Sequence, residues 1–339
     1  VAVSRRLLLD EGPGERRAVV LLDGQPERLW IERAGELAEL MAGLRAVARV
    51  RRVDRGLKLA FLDLGEGAEA VLALTEATTA TEGQAVEVEV TAPARPGKAA
   101  TVRLMGPSAG EPRRLSAAQG LSERLQAVVP GQAVETGEAA REAADIAEDA
   151  ALAAFHPLGG GASLSIETTR GLTAIDVDVG GAGGGDSLRA AARVNGLALA
   201  AAARLLRLKG LGGLVVFDLA GDGRDGEAVM KAARAAFAAD MPGVVFGPVS
   251  KLGVFHLALP WRSAPVASRL TGPRATAQKL ARLIEREAAQ SVRVRARCAP
   301  EVAAAAAIPF AALRARLGPR IDLQADPALR PDDFEVRGE

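Results

Sequence analysis

The sequence predicts a multidomain α/β protein: an all-β barrel, a layered α/β domain and a small α/β unit, in that order along the chain. Three observations carry this. Short apolar segments with near-alternating polarity follow one another at close spacing through residues 46–105, the pattern of a small β-rich unit. From residue 162, apolar strands alternate with Ala-rich amphipathic helices, the pattern of a layered α/β domain. The chain has 339 residues, 49% of them hydrophobic and 25% charged, enough for two or three cores at ~100–200 residues per domain.

Residues 1–45 are expected to be N-terminal strands; within them ERRAVVLLDGQPERLWI (15–31) reads as two strands about an Asp-Gly turn. In 46–105, the segments AVARVRRV, LKLAFLDLG, AEAVLAL, QAVEVEVTA and AATVRLM are strands joined by Gly-bearing turns. Such spacing suits a Greek-key barrel of the OB type. Residues 106–161 are expected to be a linker with one short helix, followed by a helix over 135–155. That helix sets Glu135, Glu138, Glu142, Asp145, Glu148 and Asp149 against Arg141 alone, a surface expected to repel polyanions, nucleic acids included.

The stretch 162–271 carries SLSIETT and LTAIDVDV as a hairpin-like pair, then a Gly-rich loop and a long helix over 186–209. The buried strand GLVVFDL, the helix GEAVMKAARAAFAAD and the strands VVFGPVS and GVFHLAL follow. Residues 272–339 supply the helix ATAQKLARLIEREAAQ, the strand SVRVRAR, a short Ala-rich helix, the helix PFAALRARL and the strand RIDLQA.

Composition removes several function classes. Net charge is +1, so any RNA binding must come from local basic patches rather than from an overall basic coat. A single cysteine, Cys298, excludes an intrachain disulfide and a CxxC metal knuckle, and fits a reducing cytoplasm. Two histidines, His156 and His256, and no tyrosine argue against a His-rich zinc hydrolase and against a His-pair ribonuclease. No apolar run reaches the ~18 residues of a membrane span, and VAVSRRLLLDEG is too short in its apolar part for a secretion signal. Catalysis would therefore lean on carboxylates, Lys, Arg or a bound ion.

Three acids meet that requirement. Asp176 and Asp178 sit at i and i+2 of LTAIDVDV, on one face of a strand. Asp218 ends GLVVFDL. Carboxylates from neighbouring strands make a hard oxygen site suited to Mg²⁺, with Mn²⁺ as an alternative. The competing reading is that they are strand ends and turn formers. Asp222, Gly223 and Asp225 in GDGRDG fit a turn. The GGAGGGD loop could cradle phosphate or simply open a helix capped by Asp186. Arg52, Arg55 and Lys58, with Arg51, flank the first barrel turn and could follow an RNA backbone or form a solvated face.

The segments TRGLTAIDVDV, RLKGLGGLVVFDLA and GPVSKLGVFHLAL together resemble the catalytic core of the RNase E/G family of endoribonucleases. The flanking stretches resemble that family's N-terminal segment, OB-type RNA-binding domain and small C-terminal domain, covering most of the chain. The resemblance implies a deoxyribonuclease I-like catalytic domain with Asp176 and Asp218 as metal ligands and Asp178 assisting. It places Asn195, as an RNA contact, and the Arg204–Arg207–Lys209 cluster where the family has Asn and basic residues on the long helix, and Lys251 near the scissile phosphate. It makes Phe61 a base-stacking residue and Lys98 a phosphate contact. The implied activity is Mg²⁺-dependent cleavage of single-stranded RNA, in RNA processing or turnover, leaving a 5′-phosphate and a 3′-hydroxyl. The alternative is a catalytically silent RNA-binding or ribosome-associated protein of the same fold.

Departures from the family pattern shape these expectations. Asp178 replaces the family's Asn, which would tighten cation binding or add repulsion toward phosphate. The interval 106–161 is too short to hold the family's 5′-monophosphate pocket, so no 5′-end sensing is expected. SRLTGPR (268–274) replaces the zinc-linking cysteine motif, so no zinc and no zinc-linked dimer are expected, leaving a monomer or weak dimer. Val71 stands where a second stacking Phe is expected. Phe61 could instead pack in the barrel core, His256 could be a core or rim histidine, and Cys298 a small filler.

Overall fold

The computed structural model describes residues 4–36, 39–116, 119–181, 187–221 and 225–339. Residues 182–186 of the Gly-rich loop, with the candidate cap Asp186, and residues 222–224 of the GDGRDG turn lie outside these residues. The chain opens with β1 (Arg5–Gly12), β2 (Glu15–Leu22), β3 (Gln25–Arg33), β4 (Arg45–Asp54), β5 (Leu59–Gly65), β6 (Ala68–Ala73), β7 (Ala85–Ala92), β8 (Ala100–Pro107) and β9 (Arg113–Arg114). Then come α1 (Leu121–Val128), β10 (Val134–Glu135), α2 (Glu138–Leu152), β11 (Phe155–Gly159), β12 (Ala162–Thr168), β13 (Leu172–Asp178), α3 (Ser187–Lys209), β14 (Gly213–Asp218), α4 (Gly226–Ala236), β15 (Val245–Phe246) and β16 (Val254–Leu259). The last elements are α5 (Ala267–Leu270), α6 (Pro273–Ala288), β17 (Val294–Cys298), α7 (Pro300–Ala305), α8 (Ala307–Leu317), β18 (Ile321–Ala325) and β19 (Phe334–Gly338).

The residues divide into two units. The first unites Val1–Ala38, Gln119–Leu152 and Val266–Glu339. Its larger sheet runs β10-β1-β2-β3, with β10 parallel to β1 and the other pairs antiparallel. Leu121 and Leu125 of α1 pack with Leu7, Leu9, Ala18 and Val20. The helix α2 buries an alanine stripe, Ala140, Ala143, Ala144, Ala147 and Ala151, at helical spacing. Within the interval 106–161, expected to be linker and helix, Gln119–Leu152 supply α1, β10 and α2 to the same unit as the N-terminal sheet. The acidic side of α2 is also not a bare anionic surface. Arg17 donates to Asp145 Oδ1 at 2.7 Å and Glu148 Oε1 at 2.9 Å, and Arg282 reaches Glu148 Oε2 at 2.9 Å. The C-terminal part is a three-stranded sheet, β18-β17-β19, whose core includes Leu280, Ile284, Val294, Cys298, Val302 and Leu313. Cys298 is fully buried there. The strand β19, in DFEVRGE, was not anticipated.

The second unit unites Glu39–Ala118 and Ala153–Pro265. Strands β5-β6-β8-β7-β4 form a sheet that closes through an added β4–β5 pairing. In this closed five-stranded barrel β6 and β8 are parallel and the other neighbours antiparallel, an arrangement compatible with an OB-type fold. Alternate residues such as Ala60, Leu62, Leu64 and Val86, Val88, Val90 fill it. The other sheet is six-stranded, β11-β12-β13-β14-β16-β15. Only β13 and β14 are parallel, so α3 is their crossover. Ile175, Val177, Val215, Phe217, Phe255 and Leu257 alternate inward, while the residues between them are half-buried or exposed.

The Gly212-Gly213 pair at the start of β14 has a packing reason. A Cβ on Gly212 would lie 2.9 Å from Pro260 O, and one on Gly213, at φ +83°, 3.1 Å from Trp261 Nε1. The Trp261 ring also receives the Arg95 guanidinium at 4.7 Å. The expected strand VVFGPVS shrinks to β15, since Pro248 lacks a backbone N–H to extend the ladder. The strand β11, within residues read as helix end and loop, was missed. Among the described residues no helix is long and apolar enough to cross a membrane.

Candidate active site and RNA-binding face

The ladder β13–β14 ends on Asp176 opposite Asp218. Residues paired across parallel strands point to the same side, with strands ~4.8 Å apart. Both carboxylates are exposed, so they stand side by side on the open face of the sheet, opposite to the face carrying Ile175 and Phe217. Neither has a hydrogen bond or ion pair among the described residues. Two like charges left adjacent without a cationic side chain suit a bound cation. Asp178 shares the face, but its Oδ1 accepts from Gly180 N at 2.8 Å. Among the described residues no group of three or more His, Cys, Asp or Glu side chains is placed to hold a metal ion. The sequence-based picture of a three-acid cage therefore reduces here to a two-acid pair, with Asp178 tied into a turn.

Neighbouring strands complete this face. Ser165 is paired with Asp176 and Ser163 with Asp178 across β12–β13, so a hydroxyl stands beside each acid. These serines were overlooked, although the alternation S-x-S beside D-x-D carries the signal. On the other side, Asp218 is paired with Val254 and Val216 with His256. His256 is therefore a diagonal neighbour of Asp218 on the open face, at the ~7–8 Å typical of such positions. Its imidazole fills the space over Gly247, where an added Cβ would meet Nε2. Lys251 is exposed in the turn that leads into Val254, at the Asp218 end of the sheet. Asp225 caps α4, accepting from Ala228 N at 3.0 Å.

Asn195 was expected to touch RNA. It is 2% exposed, with both ends of its amide bonded to the Ala220 backbone, so it lies beneath the site and not on it. The basic cluster of α3 also turns inward. Arg207 pairs with Asp240 at 2.6 Å, and Lys209 Nζ donates to Ala153 O at 2.5 Å.

Burial lowers the Lys209 pKa to about 8. The neighbouring His156 is held to about 4, by desolvation first and then by the charges of Lys209 and Arg204. Both groups are bases whose charged form the fold disfavours, so the unfolded chain binds more protons. Stability should therefore rise with pH, between about 4 and 6.5 for His156 and between about 8 and 10.5 for Lys209. We expect the urea midpoint to fall from pH 7 to pH 5 and His156→Leu to flatten that slope. An unchanged slope would remove His156 as its cause.

The barrel presents its candidates on one side. Arg52, Phe61, Val71 and Thr101 are paired in a row across β4, β5, β6 and β8. Phe61 points outward and is not part of the barrel core, which overturns its alternative reading as core packing. The Arg52 guanidinium lies 4.3 Å from its ring centroid. Arg55 and Lys58 are exposed in the turn between the first two barrel strands, and Lys98 is exposed in the turn between the last two. In OB folds the face of strands two and three and these two loops bind oligonucleotides. Arg51 is committed to Asp63. Replacing Phe61 with Ala should weaken RNA binding by ~1–3 kcal/mol, the value of one stacked base. Fluorescence anisotropy in EDTA would measure it; wild-type affinity would exclude Phe61 as a platform.

These parts define a mixed α/β protein that combines a closed OB-compatible barrel with a sheet presenting paired carboxylates. Residues 131–259 match the Ribonuclease E/G family. The matched stretch holds Asp176, Asp178, Asn195, Asp218 and Lys251. No curated protein matches the chain.

Proposed function

We propose that this protein is an endoribonuclease acting in RNA processing or turnover, which cleaves single-stranded RNA on the open face of the six-stranded sheet. The observation that carries this reading is the in-register pair Asp176 and Asp218, exposed and without a cationic partner among the described residues, inside the segment matching the Ribonuclease E/G family. The sheet with α3 and α4 is read as the family's deoxyribonuclease I-like catalytic domain. Mg²⁺, or Mn²⁺ in its place, held by Asp176 and Asp218 would activate water toward the phosphodiester and offset charge on the phosphate oxygens. Lys251 would steer the scissile phosphate toward the acids from the adjoining turn. The open face is bordered by Ala174, Ser165 and Val216, side chains small enough to admit an extended strand but not to sort bases. The barrel would grip RNA through Phe61, Arg52, Arg55, Lys58 and Lys98, independently of sequence. The reading includes a cytoplasmic monomer or weak dimer without zinc.

The test is incubation of an end-labelled single-stranded RNA with the protein in Mg²⁺, Mn²⁺ or EDTA. Cutting in both metals and none in EDTA, with a 3′-hydroxyl on the upstream product, is the expected result. Binding without cutting in every condition would assign the protein to the silent RNA-binding reading instead.

A further inference from the structure

We propose that Asn195 is the positioning residue of the acid pair: it locks the chain just past Asp218 to α3 and so fixes that carboxylate opposite Asp176. Asparagine is a poor choice for the middle of a helix, because its short amide competes for backbone groups. Here that property is used. Asn195 Oδ1 accepts from Ala220 N at 2.9 Å, and Nδ2 donates to Ala220 O at 3.1 Å. The amide thus copies the donor–acceptor pair of a neighbouring strand.

It does so where strand partners stop. The ladder to β13 ends at Asp176–Asp218, and the ladder to β16 ends at Asp218–Val254. Leu219 and Ala220 continue inward, 6% and 7% exposed. Their backbone groups need partners away from water. A second contact acts on the same stripe of α3. A Cβ on Gly221 would stand 3.0 Å from Ala191 Cβ, and Ala191 and Asn195 lie at i and i+4 of one helix face. The residues on both sides of the acid are therefore fixed, by the β13 ladder before it and by α3 after it. An exposed carboxylate with no partner among the described residues has its position set by its backbone. This inference rests on the reading of Asp176 and Asp218 as a cation-holding pair.

The experiment measures Mn²⁺ binding to the RNA-free protein by electron paramagnetic resonance, for wild type, Asn195→Ala, Gly221→Ala and Asp218→Asn. Partners that orient ligands from behind typically govern 10–100-fold in metal affinity. We expect Asn195→Ala to weaken Mn²⁺ by about tenfold or more, with RNA affinity in EDTA unchanged and amide exchange at Ala220 accelerated. Gly221→Ala, which displaces the same segment without touching Asn195, should weaken Mn²⁺ in the same direction and keeps the test open if Asn195→Ala fails to fold. Wild-type Mn²⁺ affinity in both variants, alongside loss in Asp218→Asn, overturns the positioning role alone. A wild type that binds no Mn²⁺ overturns the cation reading and the positioning role together.

Discussion

Asp218→Asn should abolish RNA cleavage while leaving RNA binding and folding near wild type. Asp218 is exposed and ion-paired to nothing among the described residues, so its charge does not hold the fold together. It stands beside Asp176 on the neighbouring strand, and removing one of two adjacent like charges relieves repulsion in the metal-free protein. Surface changes of this kind stay within roughly 0.5 kcal/mol of wild type. The effect on turnover runs the other way. One lost ligand of a cation that stabilises transition-state charge removes several kcal/mol, and each 1.36 kcal/mol is tenfold, so the rate should fall by about 10³ or more. Asp176→Asn should do the same, and the double variant little more, because the acids act as one unit. Single-turnover cleavage of labelled RNA, with melting curves of each variant, measures both halves. A variant that cuts at the wild-type rate would remove Asp218 from the chemistry.

The largest effect on stability is expected at Arg17. This guanidinium is 1% exposed and is bonded to Asp10 Oδ2 at 2.6 Å, Asp145 Oδ1 at 2.7 Å and Glu148 Oε1 at 2.9 Å. Burial opposes its charge, yet Glu148, Asp10 and Asp145 outweigh that and raise its pKa, so it stays cationic. Arg282 joins the same network through Glu148 and Glu15. Arg17→Met removes the central cation and leaves Asp10, 4% exposed, with only Arg141 at 3.9 Å among the described residues. Stranding a buried charge costs about 3–5 kcal/mol, which for a protein of this size lowers Tm by roughly 10 °C. The comparison Arg17→Met with Asp10→Asn isolates the cause. The double variant should recover part of the loss, since the stranded anion is then gone. A single variant melting within a degree or two of wild type would show that water or a shifted side chain satisfies Asp10 instead.

Much of the fold was legible because local patterns carry it. The alternation in AVARVRRV, LKLAFLDLG and QAVEVEVTA placed the barrel strands, and the helical spacing before Lys209 placed α3, within a few residues. Elements held by distant partners were not legible. The strand β10 is too short to show a period, β11 lies in FHPLG where Pro and Gly suggest a loop, and β19 was hidden in a charged tail. The acidic face of α2 misled in a similar way. Its charges are answered by Arg17 and Arg282, which are remote in sequence.

The sequence by itself determined which residue types stand where: Asp176 and Asp178 on one face of a strand, and Asp218 at the end of another. It could do so because strand periodicity is local and ties side-chain direction to position. Only the tertiary structure decided that Asp176 faces Asp218 in register, that Asp178 turns toward Gly180, that Phe61 points out of the barrel, and that Asn195 works from beneath. Register, burial and hydrogen-bond choice depend on groups brought together from separate parts of the chain, and no local pattern encodes them.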